Sequence, residues 1–121
     1  MQLTKNDAVR LRHMIDAARK ALLFSHGKTR VDVEKNEQLM LALVRLVEII
    51  GEAASRISPE LRDRTPLLAW ADIISTRNKL IHAYFNVDLD VLWRIIEDDL
   101  PPLINELQKI IDGAAQQQKL F

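Results

Sequence analysis

The sequence predicts an all-α fold, an up-and-down bundle of four or five helices. Three observations carry this. Apolar residues recur at helical spacing along most of the chain, no segment sustains a period of two, and only three glycines and four prolines punctuate the 121 residues. No linker or internal repeat interrupts the pattern, so residues 1–121 read as one domain. A chain of this size buries roughly two-thirds of its unfolded surface, which is enough for a real core.

The first predicted helix runs from Leu3 to Phe24. Thr4 is placed to cap it, with Asp7 three residues on in a near capping-box arrangement. Ala8, Leu11, Ile15, Ala18 and Leu22 fall on one stripe, and Arg10, Arg12, Asp16, Arg19 and Lys20 occupy other faces. Gly27, within "SHGKTR", is the expected terminator. A second helix is predicted from about Asp32 to Ser55, striped by Val33, Leu39, Met40, Leu43, Leu46, Val47, Ile50 and Ala54. Its "GEAAS" end offers small residues where another backbone could come close. Ser58 and Pro59 then open a short helical turn.

Thr65 and Pro66 repeat that device, and a third long helix is expected through Trp70, Ile73, Ile74, Leu80 and Ile81 to Phe85. "NVD" at 86–88 breaks it, and Asp88 caps a last helix carrying Leu92, Ile95, Ile96, Leu103, Leu107 and Ile110. Pro101 and Pro102 must bend or restart that helix, because a proline ring is not tolerated in a helix interior. The final "GAAQQQKLF" is expected to fray.

Charge and composition narrow the function. Seventeen basic residues balance 17 acidic ones, so the chain as a whole lacks the basic footprint of a bulk nucleic-acid coat. A small local phosphate site is still allowed. There is no cysteine, which excludes disulfides and thiolate metal sites. No apolar run approaches 20 residues and no signal peptide is apparent, so a cytosolic protein without a membrane segment is expected.

The stretch "RNKLIHAYF" at 77–85 stands apart. On a helix of about 3.6 residues per turn, Arg77 and Tyr84 share a face and Asn78 and His82 share a neighbouring one. Geometry by itself favours an ordinary surface, with Arg77 and Asn78 solvated and His82 and Tyr84 as edge groups. The alternative is chemistry on a phosphate. RNA is cut without a metal when the ribose 2′-hydroxyl attacks its own phosphate, which needs a base and an acid. Histidine, with a pKa of about 6.5, takes either role near neutral pH. An arginine fork suits the charge that gathers on the phosphate oxygens. Asn78 could orient a side chain, and Tyr84 could hold a phosphate or base. One histidine is a poor acid and base at once, whereas two copies facing each other across a symmetric dimer supply both.

These residues also carry a resemblance. "RNKLIHAYF" resembles the Arg-(four residues)-His-x-Tyr motif of the HepT family, a branch of the HEPN superfamily. The likeness extends through "LVEIIGEAASRIS" at 46–58, "PLLAWADIISTRNKLIHAYFNVDLDVLW" at 66–93 and "DLPPL" at 99–103. It implies a HEPN-like, all-helical RNA endonuclease toxin of a toxin–antitoxin pair, independent of metal and other cofactors, acting as a homodimer whose motifs meet in one cleft. It implies as partner an MNT-type nucleotidyltransferase antitoxin that transfers AMP onto the motif tyrosine. By position, Arg77 and His82 would be catalytic, Asn78 supporting, and Tyr84 the AMP acceptor. Adenylylation beside Arg77 would put negative charge and bulk where the RNA phosphate must sit.

Other candidates are weaker. Either Glu48 or Glu52, four apart, could reach across the bundle to orient Arg77 or His82, though a solvated face explains them slightly better. No histidine stands at metal-ligand spacing beside them. His13 and His26 read as surface residues, and Trp70 and Trp93 as core or interface anchors. Arg10, Arg12, Arg19 and Lys20 read as a solvated basic face that could also guide RNA. A non-enzymatic HEPN module that binds a nucleotide or a partner in the same cleft is the rival expectation, and a purely structural bundle is the third.

Overall fold

Helix α1 spans Lys5–Ser25 in the computed structural model, which describes residues 2–83 and 86–119. The Thr4 side chain caps it, accepting from the Asp7 amide at 3.0 Å. The Asp7 carboxylate does not complete a capping box. It turns to residue 58, where it accepts from the Ser58 amide at 2.9 Å and from the Ser58 hydroxyl at 2.6 Å. This partly buried link ties the start of α1 to the start of α4 (Pro59–Arg64), whose cap is the same Ser58. At the other end, Gly27 takes a left-handed φ of 72°, as a helix terminator should.

The second predicted helix is two helices. Thr29 and Asp32 form a full capping box over α2 (Arg30–Lys35), which therefore begins earlier than Asp32. The chain leaves helical geometry at Asn36 (φ −120°, ψ 93°), whose side chain caps α3 (Glu37–Ser55). Asparagine competes for backbone amides locally, and here that competition ends one helix and starts the next.

The core lies where α1 and α3 pack along each other, with α8 (Leu100–Lys119) closing it against α1. Leu11, Met14, Ile15, Ala18 and Ala21 of α1 meet Leu43, Val47, Ile50 and Ala54 of α3, all buried. At the end of α3, Arg62 donates to the carbonyls of Ala54 and Ser55 at 3.1 and 2.9 Å, satisfying helix-end acceptors.

The third long helix predicted over 66–85 does not form. Thr65 is tied back to α4, its hydroxyl donating to the Leu61 carbonyl at 2.8 Å and accepting from the Trp70 indole at 3.0 Å. That bond makes Trp70 a core anchor and delays the next helix to α5 (Trp70–Ile74). Ser75, at φ −82° and ψ 1°, separates α5 from α6 (Thr76–Leu80). The hydroxyls of Ser75 and Thr76 both donate to the Asp72 carbonyl there, and Thr76 also donates to Ile73. A Cβ placed on Gly51 would stand 3.3 Å from the Ile73 carbonyl oxygen, so glycine is what lets the end of α5 lie against α3. The small-residue expectation for 51–55 is met at this one contact.

Beyond Leu80 the chain is extended. β1 (Ile81–His82) pairs antiparallel with β2 (Asn86–Val87), Ile81 opposite Val87 and His82 opposite Asn86. The Asp88 amide donates to the Leu80 carbonyl at 2.8 Å and closes the hairpin.

Asp88 then caps α7 (Leu89–Arg94), as expected. A π-helical turn over Ile95–Asp99 follows, in which the Leu100 amide reaches the Ile95 carbonyl, and α8 (Leu100–Lys119) continues it. Widening the helix immediately before Pro101 and Pro102 accommodates two residues that have no amide to donate. The C-terminal segment does not fray at Gly113, since α8 runs through it to Lys119; residues 120 and 121 lie outside the described residues. The fold is all-α apart from the short hairpin, and no helix among the described residues is long and apolar enough to cross a membrane.

Candidate active site

The Arg77–Tyr84 stretch straddles the end of a helix. Arg77 and Asn78 lie on α6, and His82 lies on β1. The helical register that would pair Asn78 with His82 is therefore absent, because Ile81 (φ −114°, ψ 121°) has already left the helix. Tyr84 lies outside the described residues. A β-branched residue at 81 suits the extended conformation, and its partner Val87 gives it an apolar neighbour across the hairpin.

Arg77 and His82 each lie beside a carboxylate of their own. The Arg77 Nε donates to Glu48 Oε2 at 2.8 Å, so α3 reaches α6 through this pair. Glu48 is largely shielded, with 17% of its side chain exposed, while 54% of Arg77 is exposed. The bond uses only Nε. The two terminal nitrogens of the guanidinium, which form the fork that grips a phosphate, make no hydrogen bond to another described residue. Glu52 does not join this site. It pairs with Arg45 on its own helix at 3.3 Å, and both are exposed.

The His82 Nε2 stands 3.5 Å from Asp88 Oδ2, and 56% of the ring is exposed. Asp88 was legible in the sequence only as a helix cap. Its Oδ1 does accept from the Val91 amide at 3.2 Å, which leaves Oδ2 for the imidazole. The Val91 N–H holds the Asp88 carboxyl below its ordinary pKa; partial desolvation opposes this, and the His82 ring adds to the lowering. The signal that could have revealed this second role is an acid capping the helix just after a motif histidine and a break.

The Asn78 side chain is exposed and has no hydrogen bond to another described residue; its amide donates to the Ser75 carbonyl at 3.0 Å. Thr76 and Lys79, on α6, line a groove of about 470 Å³ with Leu67, Arg94, Asp99 and Glu106, and neither Arg77 nor His82 takes part in it. Trp93 is half-buried against the core rather than presented as a stacking platform. On α1, Arg12 and Lys20 are exposed, while Arg19 is engaged by Gln108 at 2.6 Å.

The sequence profile of the family described as "Ribonuclease HepT-like" matches residues 14–110, from the middle of α1 into α8. The chain belongs to this HepT-like family. Curated relatives agree. A provisionally named RNase of Methanocaldococcus jannaschii is 31% identical over 95 residues, 78% of this chain and 87% of that protein. A provisionally named ribonuclease HepT of Thermococcus cleftensis is 37% identical over 75 residues, 62% of this chain and 68% of that protein. A further provisionally named RNase, from Caldanaerobacter subterraneus, is 36% identical over 80 residues, 66% of this chain and 71% of that protein. No solved structure gives a significant match. The HepT-like match covers α3, α6, the hairpin and α7, and so contains every side chain of the site just described.

Proposed function

We propose that this HepT-like chain is a metal-independent RNA endonuclease, in which Arg77 and His82 act on the scissile phosphate. The observation that carries the reading is that Arg77 and His82 each lie beside a carboxylate while more than half of either side chain stays exposed. Glu48 restrains Arg77 through Nε and leaves the terminal fork for phosphate oxygens. His82, more than half exposed, is open to RNA. Both nearby carboxylates face these two side chains, which fits proton transfer and charge stabilisation by side chains.

The reaction needs no outside reagent. A base takes the proton of the ribose 2′-hydroxyl as its oxygen bonds to phosphorus. The bond from phosphorus to the 5′ oxygen breaks, and an acid returns a proton to that oxygen. The products are a 2′,3′-cyclic phosphate and a 5′-hydroxyl. His82 of one copy serves as base and the same residue of a second copy as acid, so the working unit is a homodimer. Asn78, exposed beside Arg77, is the supporting polar group.

The family resemblance supports a toxin role, with an MNT-type nucleotidyltransferase as antitoxin and Tyr84 as AMP acceptor. A phosphodiester-linked adenosine two residues from His82 would repel and obstruct the RNA phosphate.

The test is cleavage of labelled RNA in the presence of a metal chelator. Wild type should produce 2′,3′-cyclic phosphate ends. His82→Ala should lose cleavage while keeping its helical circular dichroism. A folded His82→Ala protein that cuts RNA as well as wild type would overturn the assignment. Intact mass of the chain co-expressed with a nucleotidyltransferase encoded beside it, compared with a Tyr84→Phe variant, tests the modification.

A further inference from the structure

We propose that Asp88 is a positioning residue for His82, holding the ring through Nε2 so that Nδ1 is the nitrogen offered to the RNA. The proposal rests on the ribonuclease reading above and says which atom of the ring does the work.

The carboxylate is a fixed point. Its Oδ1 accepts from the Val91 amide at 3.2 Å, and the Asp88 amide is bonded to the Leu80 carbonyl at 2.8 Å. Asp88 is thus clamped between the last residue of α6 and the first turn of α7. Its second oxygen lies 3.5 Å from Nε2. The other acids of the neighbourhood are engaged elsewhere: Glu48 by Arg77, Glu52 by Arg45 and Asp90 by Arg30. Among the described residues, Asp88 is the acidic group within 4 Å of the imidazole.

The chemistry follows from the two ring nitrogens being distinct. A carboxylate only accepts hydrogen bonds, so beside it the neutral ring keeps its proton on Nε2. The lone pair is then on Nδ1, where it can take the proton of a 2′-hydroxyl. In the protonated ring, Nε2–H stays on Asp88 and Nδ1–H is the proton available to a leaving oxygen. One carboxylate therefore prepares the same nitrogen for both roles.

Asp88→Asn tests this with little disturbance to the fold, because asparagine caps a helix about as well as aspartate. With its carbonyl oxygen still on the Val91 amide, the new side chain turns an NH₂ donor towards Nε2. That reverses the preference, placing the ring proton on Nδ1 and removing the lone pair the reaction needs. The experiment pairs two readouts on the full-length protein: the His82 tautomer, from ¹⁵N–¹H correlation spectra at a pH where the ring is neutral, and the steady-state kinetics of RNA cleavage. Wild type should show Nε2–H. Asp88→Asn should show Nδ1–H, with kcat reduced roughly 100-fold and KM within about twofold. An Nδ1–H tautomer in wild type, or an Asp88→Asn protein with the wild-type tautomer and kcat, would overturn the proposal. The wild-type spectrum decides the ring orientation even if the variant folds poorly. A wild type that shows Nε2–H yet cuts no RNA would sink the ribonuclease reading while upholding the orientation.

Discussion

Helices α1 and α3 run for 21 and 19 residues without a break, whereas the stretch from Pro66 to Asp88 is divided among α5, α6 and a two-stranded hairpin. The long pair supplies about half of the buried apolar side chains among the described residues and is striped at a regular helical period. The divided stretch is largely exposed or half-buried, with Leu80 and Trp70 as its deepest anchors. On the proposed function, the contrast separates support from reactivity. A continuous amphipathic helix fixes every side chain to one of a few directions. Ending α6 at Leu80 lets His82 leave the helical register, so that it meets a carboxylate from α7 while Arg77 meets one from α3. Two carboxylates from two different elements converge on one short segment, which a straight helix over 77–84 would not bring about.

The sharpest way to break this division is a deletion in the long pair. Leu43 is fully buried in α3, and Leu43→Ala should lower the unfolding free energy by about 2–5 kcal/mol. Urea denaturation followed by circular dichroism measures it. Cleavage by the fraction still folded should stay near wild type. If activity vanished while the fold persisted, scaffold and site would not be separable in this way.

A smaller effect is expected where the two regions touch. At Gly51 a Cβ would lie 3.3 Å from the Ile73 carbonyl oxygen, and the branched side chain of Gly51→Val needs more room than that. Overpacking of this kind costs about 1–3 kcal/mol. Because α5 leads directly through α6 to β1, the displacement should also disturb the approach of Arg77 to Glu48. The expected result is a lower melting temperature together with a reduced kcat, both exceeding what a Val substitution at exposed Glu52 causes. A variant with wild-type melting and kinetics would show that α5 does not rest on α3 at this point.

The long pair was legible in the sequence for the same reason that it is stable. Leu11, Ile15, Ala18, Leu43, Val47, Ile50 and Ala54 fall at helical spacing and are buried, and Thr4 and Gly27 mark the ends of α1 as their chemistry requires. The break at Asn36 was missed because one polar residue hardly disturbs an apolar stripe, although its capping chemistry could have marked it. In 65–88 the decisive forces are tertiary. Thr65 bonds to Trp70 rather than capping at Pro66, and the Ser75 and Thr76 hydroxyls donate to Asp72. No period in the chain encodes those choices. At the candidate site, residue types and the family motif single out Arg77, Asn78 and His82 as expectations. Choosing Glu48 over Glu52, and finding Asp88, required knowing that α6 leans on α3 and that the hairpin returns the chain to α7.

The subtlest expectation concerns acid, and it compares two capping aspartates. Asp32 in α2 is held below its ordinary pKa of 3.8 by the Thr29 backbone N–H and the Thr29 hydroxyl. Asp88 at the start of α7 is held below the same value first by the Val91 backbone N–H, with His82 contributing. Both are therefore deprotonated more readily in the folded chain than in the unfolded one. Their stabilisation is complete above the unfolded-state pKa and is lost as the pH falls through the lowered native values. The consequences differ by region. Protonating Asp32 loosens only a short helix end. Protonating Asp88 also removes the acceptor facing His82. Side-chain NMR from pH 5 down to pH 2 should show His82 resonances changing as Asp88 titrates, with no such change when Asp32 does. In Asp88→Asn that acid-linked change at His82 should disappear. If His82 moved instead with Asp32, or moved equally in Asp88→Asn, the contact between hairpin and α7 would not govern the ring.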